Sequence, residues 1–525
     1  MQPIPAVTEP ASDSVDAFQV TAVPATGGKS YGQILRSSAL IGGSSVVNIA
    51  IGIIRTKAMA ILLGPAGVGL MGVYLSILDL AQSITGLGIN TSGVRQIAEA
   101  AGSGETGQVA RTATVLRRTA IVLGLTGALC VLLFSKQIAI FTFGDYRNTA
   151  GVAALSLALF FSCIAGGQGA LIQGMRRISD LAKLGIIGGV SGTFVSIVLV
   201  YFFREKGIVP SLVAGAAMAV LTSWWYSRKI DIQPAALTSA DWRRETSALL
   251  KLGVVFSGSA ILTMGAAYAV RLIVLRKVGV EAAGFYQSAW TIGGLYAGFI
   301  LQAMLTDFYP RLTAVAKDDR ECNRLVNEQA EIGLLLAGPG VLATITFAPL
   351  VIALFYSGKF AAAIEPLRWI CVGMILRVIA WPMGFIVVAK GIQTIFLWTE
   401  VAATIVHIGL AFVLVSYFGL VGAAIAFFGL YVWHGILINL IVRRISGFHW
   451  SVANRQNMML FLPTIALIFG AFHWLPFWLA TGLGGFTVLT AGIYSLRMLT
   501  RLVTMDRLPR FLRQILSGLR ISPAS

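Results

Sequence analysis

The chain has 525 residues, of which 57% are hydrophobic and only 12% charged. It carries 40 Lys and Arg against 22 Asp and Glu, a formal net charge of +18 and a mean hydropathy of +0.81. Globular domains carry about 25% charged residues, so this composition excludes a water-soluble fold. Apolar runs of about 20 residues recur along the chain, each long enough to cross a ~30 Å hydrocarbon core, and the protein reads as an all-α polytopic membrane protein.

Residues 1–30 hold Pro3, Pro5, Pro10 and Pro24 with Glu9, Asp13 and Asp16. They lack the basic start and apolar core of a signal peptide and read as a disordered cytoplasmic tail. Apolar length, breakers and flanking charges then predict fourteen spans, near 38–63, 68–94, 113–134, 150–173, 184–203, 208–227, 252–277, 283–306, 332–355, 366–389, 394–416, 420–442, 458–475 and 478–497. They group into a six-helix bundle over 31–230, an amphipathic cytoplasmic linker at 231–251, a second six-helix bundle over 252–445 and two additional helices within 446–500. In the tail, 501–525, Leu508, Phe511, Leu512, Ile515, Leu516 and Leu519 recur at helical spacing among Arg507, Arg510, Arg513 and Arg520. That pattern predicts a basic helix lying in the membrane interface.

The basic residues follow the spans. Of the 40, 28 fall on one side, among them Arg95, Arg117, Arg176, Arg228 and Arg443; seven fall on the other (Lys136, Arg147, Arg204, Lys206, Arg276, Lys277, Lys359) and five within spans. The positive-inside rule places both termini in the cytoplasm. The excess charge is thus topological, and nucleic acid is not an expected partner. Cys130, Cys163, Cys322 and Cys371 lie far apart, without metal-ligand spacing. No connector has room for a soluble catalytic domain, and no Walker A, dinucleotide or HExxH pattern is present. No cofactor is expected.

Sliding the chain along itself until Gly64 falls on Gly279 also brings Gly69 onto Gly284 and Gly169 onto Gly384. Arg95 falls on Arg311 with a slip of one position, and the outer loop after Phe141 to Gly144 matches Leu354 to Gly358. An internal repeat of six spans predicts two bundles related by a pseudo-two-fold axis along the membrane normal, with a cleft between them.

Charged side chains inside spans are expensive and therefore mark function. Arg55 lies almost as far ahead of Gly64 as Arg271 lies ahead of Gly279, so the two sit at similar depth. Both can face the cleft; Arg55 can equally pair with Asp79 or snorkel, whereas Arg271 shows no acid at matching depth in the next span. Lys57 cannot share the face of Arg55, Arg368 is near enough to the surface to snorkel, and Arg377 lies mid-span before Pro382. Asp79 and Glu400 are the proton or ion carriers, or structural ion-pair partners. His407 and His434 read as buried structural histidines, and Trp290, Tyr296, Gln287, Gln302, Gln168 and Asn90 have the chemistry to line a sugar cavity or to pack between helices.

The first hairpin, Ile61-Leu62-Leu63-Gly64-Pro65-Ala66-Gly67-Val68-Gly69-Leu70, resembles the corresponding turn of bacterial O-antigen and enterobacterial-common-antigen lipid-carrier flippases. So does Val387-Val388-Ala389-Lys390-Gly391 followed by Thr399-Glu400. The resemblance extends over the first twelve spans. It implies the multidrug/oligosaccharidyl-lipid/polysaccharide exporter superfamily and a flippase for undecaprenyl-diphosphate-linked oligosaccharide in the bacterial inner membrane, working by alternating access beside polysaccharide polymerase and chain-length machinery. The long N-terminal tail and the last two spans depart from the twelve-helix pattern, although lipid II flippases also have fourteen. Arg55, Arg271 and Arg377 suit an anionic diphosphate, since guanidinium groups bind phosphate bidentately. A small-molecule antiporter and a membrane glycosyltransferase or polymerase are the alternatives; a drug antiporter usually exports cations, for which buried arginines have the wrong sign.

Overall fold

The computed structural model describes residues 29–103, 106–232, 238–303 and 308–502, and within them it is helical without strands. The helices are α1 (Lys29–Gly86), α2 (Ile89–Gly102), α3 (Thr106–Leu133), α4 (Ser135–Phe143), α5 (Thr149–Gly174), α6 (Ile178–Phe203), α7 (Ile208–Ser227), α8 (Ser239–Lys277), α9 (Val280–Ala303), α10 (Tyr309–Ala314), α11 (Asp319–Thr346), α12 (Ala348–Phe355), α13 (Ile364–Ala389), α14 (Gln393–Ser446), α15 (Val452–Trp474) and α16 (Phe477–Leu502). The proposed tail helix beyond residue 502 and the N-terminal tail before residue 29 lie outside the described residues. Part of the expected 231–251 linker is helical, because α8 begins at Ser239 and runs unbroken into the span.

Among the described residues, ten helical runs are long and apolar enough to cross a membrane. Three are broken by a sharp turn: α1 at Gly64 (φ 67, ψ −173), the α6–α7 run at Arg204 (φ 52, ψ −128) and α14 at Gly419 (φ 55, ψ −134). The last two share one conformation at the offset of the sequence repeat. At both, the chain doubles back so tightly that a Cβ on Gly207 would strike the Leu199 carbonyl and one on Gly422 the Leu414 carbonyl, again a repeat-related pair. At the other ends of the helices, Arg177 N donates to Ile172 O and Arg176 N to Gln173 O, while Ile392 N donates to Val387 O and Gly391 N to Val388 O. These are two Schellman caps at the same offset, with Arg176 (φ 55) where the second half has Gly391 (φ 71).

The Gly64 turn meets the α8–α9 turn directly. A Cβ on Gly69 would collide with the Val280 carbonyl, and one on Gly284 with the Pro65 carbonyl. Position 65 corresponds to 280 and 69 to 284, so each half makes the same contact on the other. That reciprocity defines a two-fold relation between α1–α7 and α8–α14. Gly64, Arg204, Gly279 and Gly419 mark one end of the bundles, the Gly64 face; Gly88, Arg176, Gly391 and Gly447 mark the opposite Gly88 face, where Gly88 packs on the Gly253 carbonyl.

The outer surface is apolar. Phe202 (72% exposed), Tyr417 (80%) and Trp474 (83%) ring the Gly64 face, and Trp224 and Trp225 stand exposed at the Gly88 face. Aromatic belts of this kind sit at the headgroup level of a bilayer. The two further helices, α15 and α16, pack on α11, where Phe461 fills the space above Gly338 and Thr346 that above Gly484. At the Gly88 face Asn327 accepts from Ser451 N at 2.8 Å, and Asn323 donates to the Ser446 carbonyl at 2.7 Å. At the Gly64 face Arg368 is 7% exposed rather than snorkelling: its Nε donates to Ile345 O at 3.2 Å and its guanidinium lies 3.8 Å from the Phe472 ring centre. This arginine is a structural tie between α13, α11 and α15.

Candidate functional site

α8 is the helix along which the polar chemistry of the membrane domain is arranged. Near its Gly64 end stands Arg271, whose Nε donates to Gln287 Oε1 on α9 at 2.8 Å and whose Nη1 reaches the Ala267 carbonyl at 3.3 Å. Gln287 passes the link on to Thr291 Oγ1 at 3.1 Å. It fits there because the repeat-related position on the other half is Gly72, where a Cβ would lie 3.0 Å from the Gln287 side chain. Asp79, exposed on the second arm of α1, lies within Coulombic range of Arg271, as does Tyr286. The acid that the neighbouring span does not supply to Arg271 comes instead from the other half.

Nearer the Gly88 end, Ser259 of α8 donates to Glu400 Oε2 of α14 at 3.1 Å. Glu400 stands in the field of Arg377 of α13. The Arg377 guanidinium lies 5.5 Å from the Trp381 ring centre and 5.8 Å from that of Tyr431. Its Nε is buried without a hydrogen-bond partner among the described residues, and such a donor is costly to bury unless an acceptor reaches it.

An aromatic ladder joins the two clusters. Tyr286 stacks on Trp290 at 6.1 Å, Trp290 meets Phe427 edge-on at 5.1 Å and Phe427 meets Tyr431 at 5.0 Å. Arg271 and Arg377 thus stand at the two ends of one ladder built from α9 and the second arm of α14.

Of the residues singled out in the sequence, Arg271 stands in the field of Asp79 and Arg377 in that of Glu400, neither pair close enough for an ion pair. Arg55 is half-buried on the first arm of α1, with no hydrogen bond or ion pair to a described residue. Trp290 is a rung of the ladder and Gln287 the partner of Arg271. Gln168 accepts from Ser223 at 2.5 Å and packs α5 against α7, and Asn90 lies against Gly166. The side chains of Tyr296 and Gln302 lie outside the described residues. Buried His407 packs beside Phe427, 6.1 Å between ring centres. Sequence reasoning missed Ser259 and Tyr431. Tyr431 carries a readable signal, since it stands one helical turn before His434 and so on the same face; Ser259 carries none.

A polytopic helical protein of two pseudo-symmetric bundles, with guanidinium and carboxylate groups set within its spans, has the build of a membrane transporter. The sequence profile of the family described as polysaccharide biosynthesis protein matches residues 58–365, more than half of the chain, and the protein belongs to that family. It is similar to the lipid III flippase of Escherichia coli (strain K12), 24% identical over 404 residues that cover 76% of this chain and 95% of the relative. It is also similar to the lipopolysaccharide biosynthesis protein WzxC of the same organism, 20% identical, covering 66% of this chain and 68% of the relative. Among solved structures, the lipid II flippase MurJ in an inward closed conformation superposes with a TM-score of 0.65 at 13% identity, covering 89% of this chain and all of that one. An inward-facing multidrug-resistance MATE family transporter of the MOP superfamily gives 0.63 at 19% identity, covering 77% and 98%. The fold is the two-bundle fold of these transporters.

Proposed function

We propose that the protein flips a lipid-linked oligosaccharide across the bacterial cytoplasmic membrane, with fourteen spans and both termini in the cytoplasm. The observation that carries this reading is the pair of membrane-embedded guanidinium groups, Arg271 and Arg377, joined by one aromatic ladder. A polyprenyl-diphosphate glycan has a dianionic head that cannot enter hydrocarbon and a tail that need not leave it. Arginine binds phosphate through two parallel hydrogen bonds, and half-buried Trp290 offers a sugar ring an apolar face. The relatives named for lipid III and lipopolysaccharide biosynthesis act in the same chemistry.

The Gly88 face, which holds most Lys and Arg, is the cytoplasmic one. The head enters from there, reaches Arg377 and then Arg271, and leaves at the Gly64 face as the bundles rock apart at their two-fold contact. Arg55 joins Arg271 as a second phosphate ligand. Asp79 and Glu400 each stand in the field of one guanidinium, so a proton or cation bound to either carboxylate frees its arginine for the phosphate. A polysaccharide polymerase and chain-length machinery receive the product. The test is transport: purified protein in vesicles should move an undecaprenyl-diphosphate glycan between leaflets and leave cationic dyes untouched. Dye efflux without glycan movement would favour an antiporter.

A further inference from the structure

Two cations at the Gly64 face bond across the boundary between the halves, apart from the polar clusters. Lys57, on the first arm of α1, donates its Nζ to the Ala353 carbonyl at 2.5 Å, in the last turn of α12 of the other half. Arg276, in the last turn of α8, donates Nη2 to the Ile140 and Phe141 carbonyls at 2.9 and 3.0 Å, in the last turn of α4 of the first half. Beside it the hydroxyls of Tyr268 and Thr142 meet across the same boundary at 2.6 Å. The last carbonyls of a helix have no intrahelical partner and carry the negative end of its dipole, so a cation bound there is held by charge as well as by hydrogen bonds. Each half therefore caps a short helix of the other. Lys277, next to Arg276, makes the opposite choice: its ammonium binds the Phe412 carbonyl at 2.9 Å, 3.5 Å from the Phe412 ring centre, wholly within its own half.

We propose that Lys57 and Arg276 are the two parts of a latch that holds the Gly64 face shut. Both bonds cross the boundary between the bundles, so both must break when that face opens, whereas the Lys277 bond travels with its half. The latch rests on the alternating-access part of the functional reading and is independent of what is carried.

Spin labels at Tyr146 and Lys359, exposed on the Gly64 loops of the two halves, report their separation without any substrate; Cys130→Ser removes the exposed native thiol. In reconstituted full-length protein, Lys57→Met and Arg276→Met should each raise the population with long label separation roughly fivefold, and the double variant about 25-fold. Arg276→Lys should keep most of the short population, and Lys277→Met all of it. Lys57→Gln with Arg276→Gln keeps a neutral hydrogen-bond donor on a shorter chain and should give an intermediate shift, so the test survives if the Met pair does not insert. A distance distribution unchanged in the paired variants, or shifted equally by Lys277→Met, overturns the latch. Glycan transport plays no part in this readout, so failure of the flippase reading shows itself separately.

Discussion

The two halves turn at the same places but do not hold the same chemistry. Arg204 and Gly419 share one backbone conformation, Arg176 and Gly391 share one helix cap, and Gly69 and Gly284 make each other's contact, all at the one offset of the repeat. Yet the positions in the first half that correspond to Arg377, Glu400, Tyr431 and His434 are Ser162, Gly185, Ala216 and Ala219. The repeat sets where helices reverse and where bundles touch, which depends on backbone sterics. The polar clusters need only single side chains on that frame, and they are placed on the second half and at its boundary.

The largest effect should fall on the chemical difference. On the proposed binding of the diphosphate head, Arg377→Ala should lower glycan translocation in vesicles at least about 30-fold. Its counterpart Ser162→Ala should stay within about twofold. Equal losses at the two positions would erase the asymmetry. Arg271 sharpens it at the boundary: Arg271→Ala should abolish translocation with membrane insertion intact. Arg271→Lys, which keeps charge and loses the planar fork, should retain roughly a tenth, and Arg55→Ala should cost less than Arg271→Ala. Normal translocation by Arg271→Ala would remove that residue from the site.

The shared features give smaller, paired effects. Gly69→Ala and Gly284→Ala push the same two turns apart, and each should destabilise the protein by about 1–3 kcal/mol in thermal unfolding. A large difference between the two would break the two-fold contact. The smallest change concerns the helix reversal. Arg204 occupies a conformation that only glycine adopts without strain, so Arg204→Gly should gain about 1 kcal/mol and Gly419→Arg should lose a similar amount. If Arg204→Gly is destabilising instead, its bond to the Leu62 carbonyl at 3.4 Å outweighs the strain.

The class of fold and the repeat are legible in the amino-acid sequence alone, since both rest on local quantities. Apolar length reports what a segment can cross, charge between segments reports sidedness, and glycines at a fixed offset report where the backbone must reverse or approach. It also singled out Arg271, Arg377, Asp79 and Glu400, because a charge within a span is costly wherever it ends up. Pairing was beyond it. Arg271 stands in the field of an acid from the other half, Lys57 caps a helix far along the chain, and Arg368 is buried under Phe472 of α15 rather than reaching the surface. Those outcomes depend on which helices become neighbours and how they are rotated, which is decided by packing between segments remote in the chain.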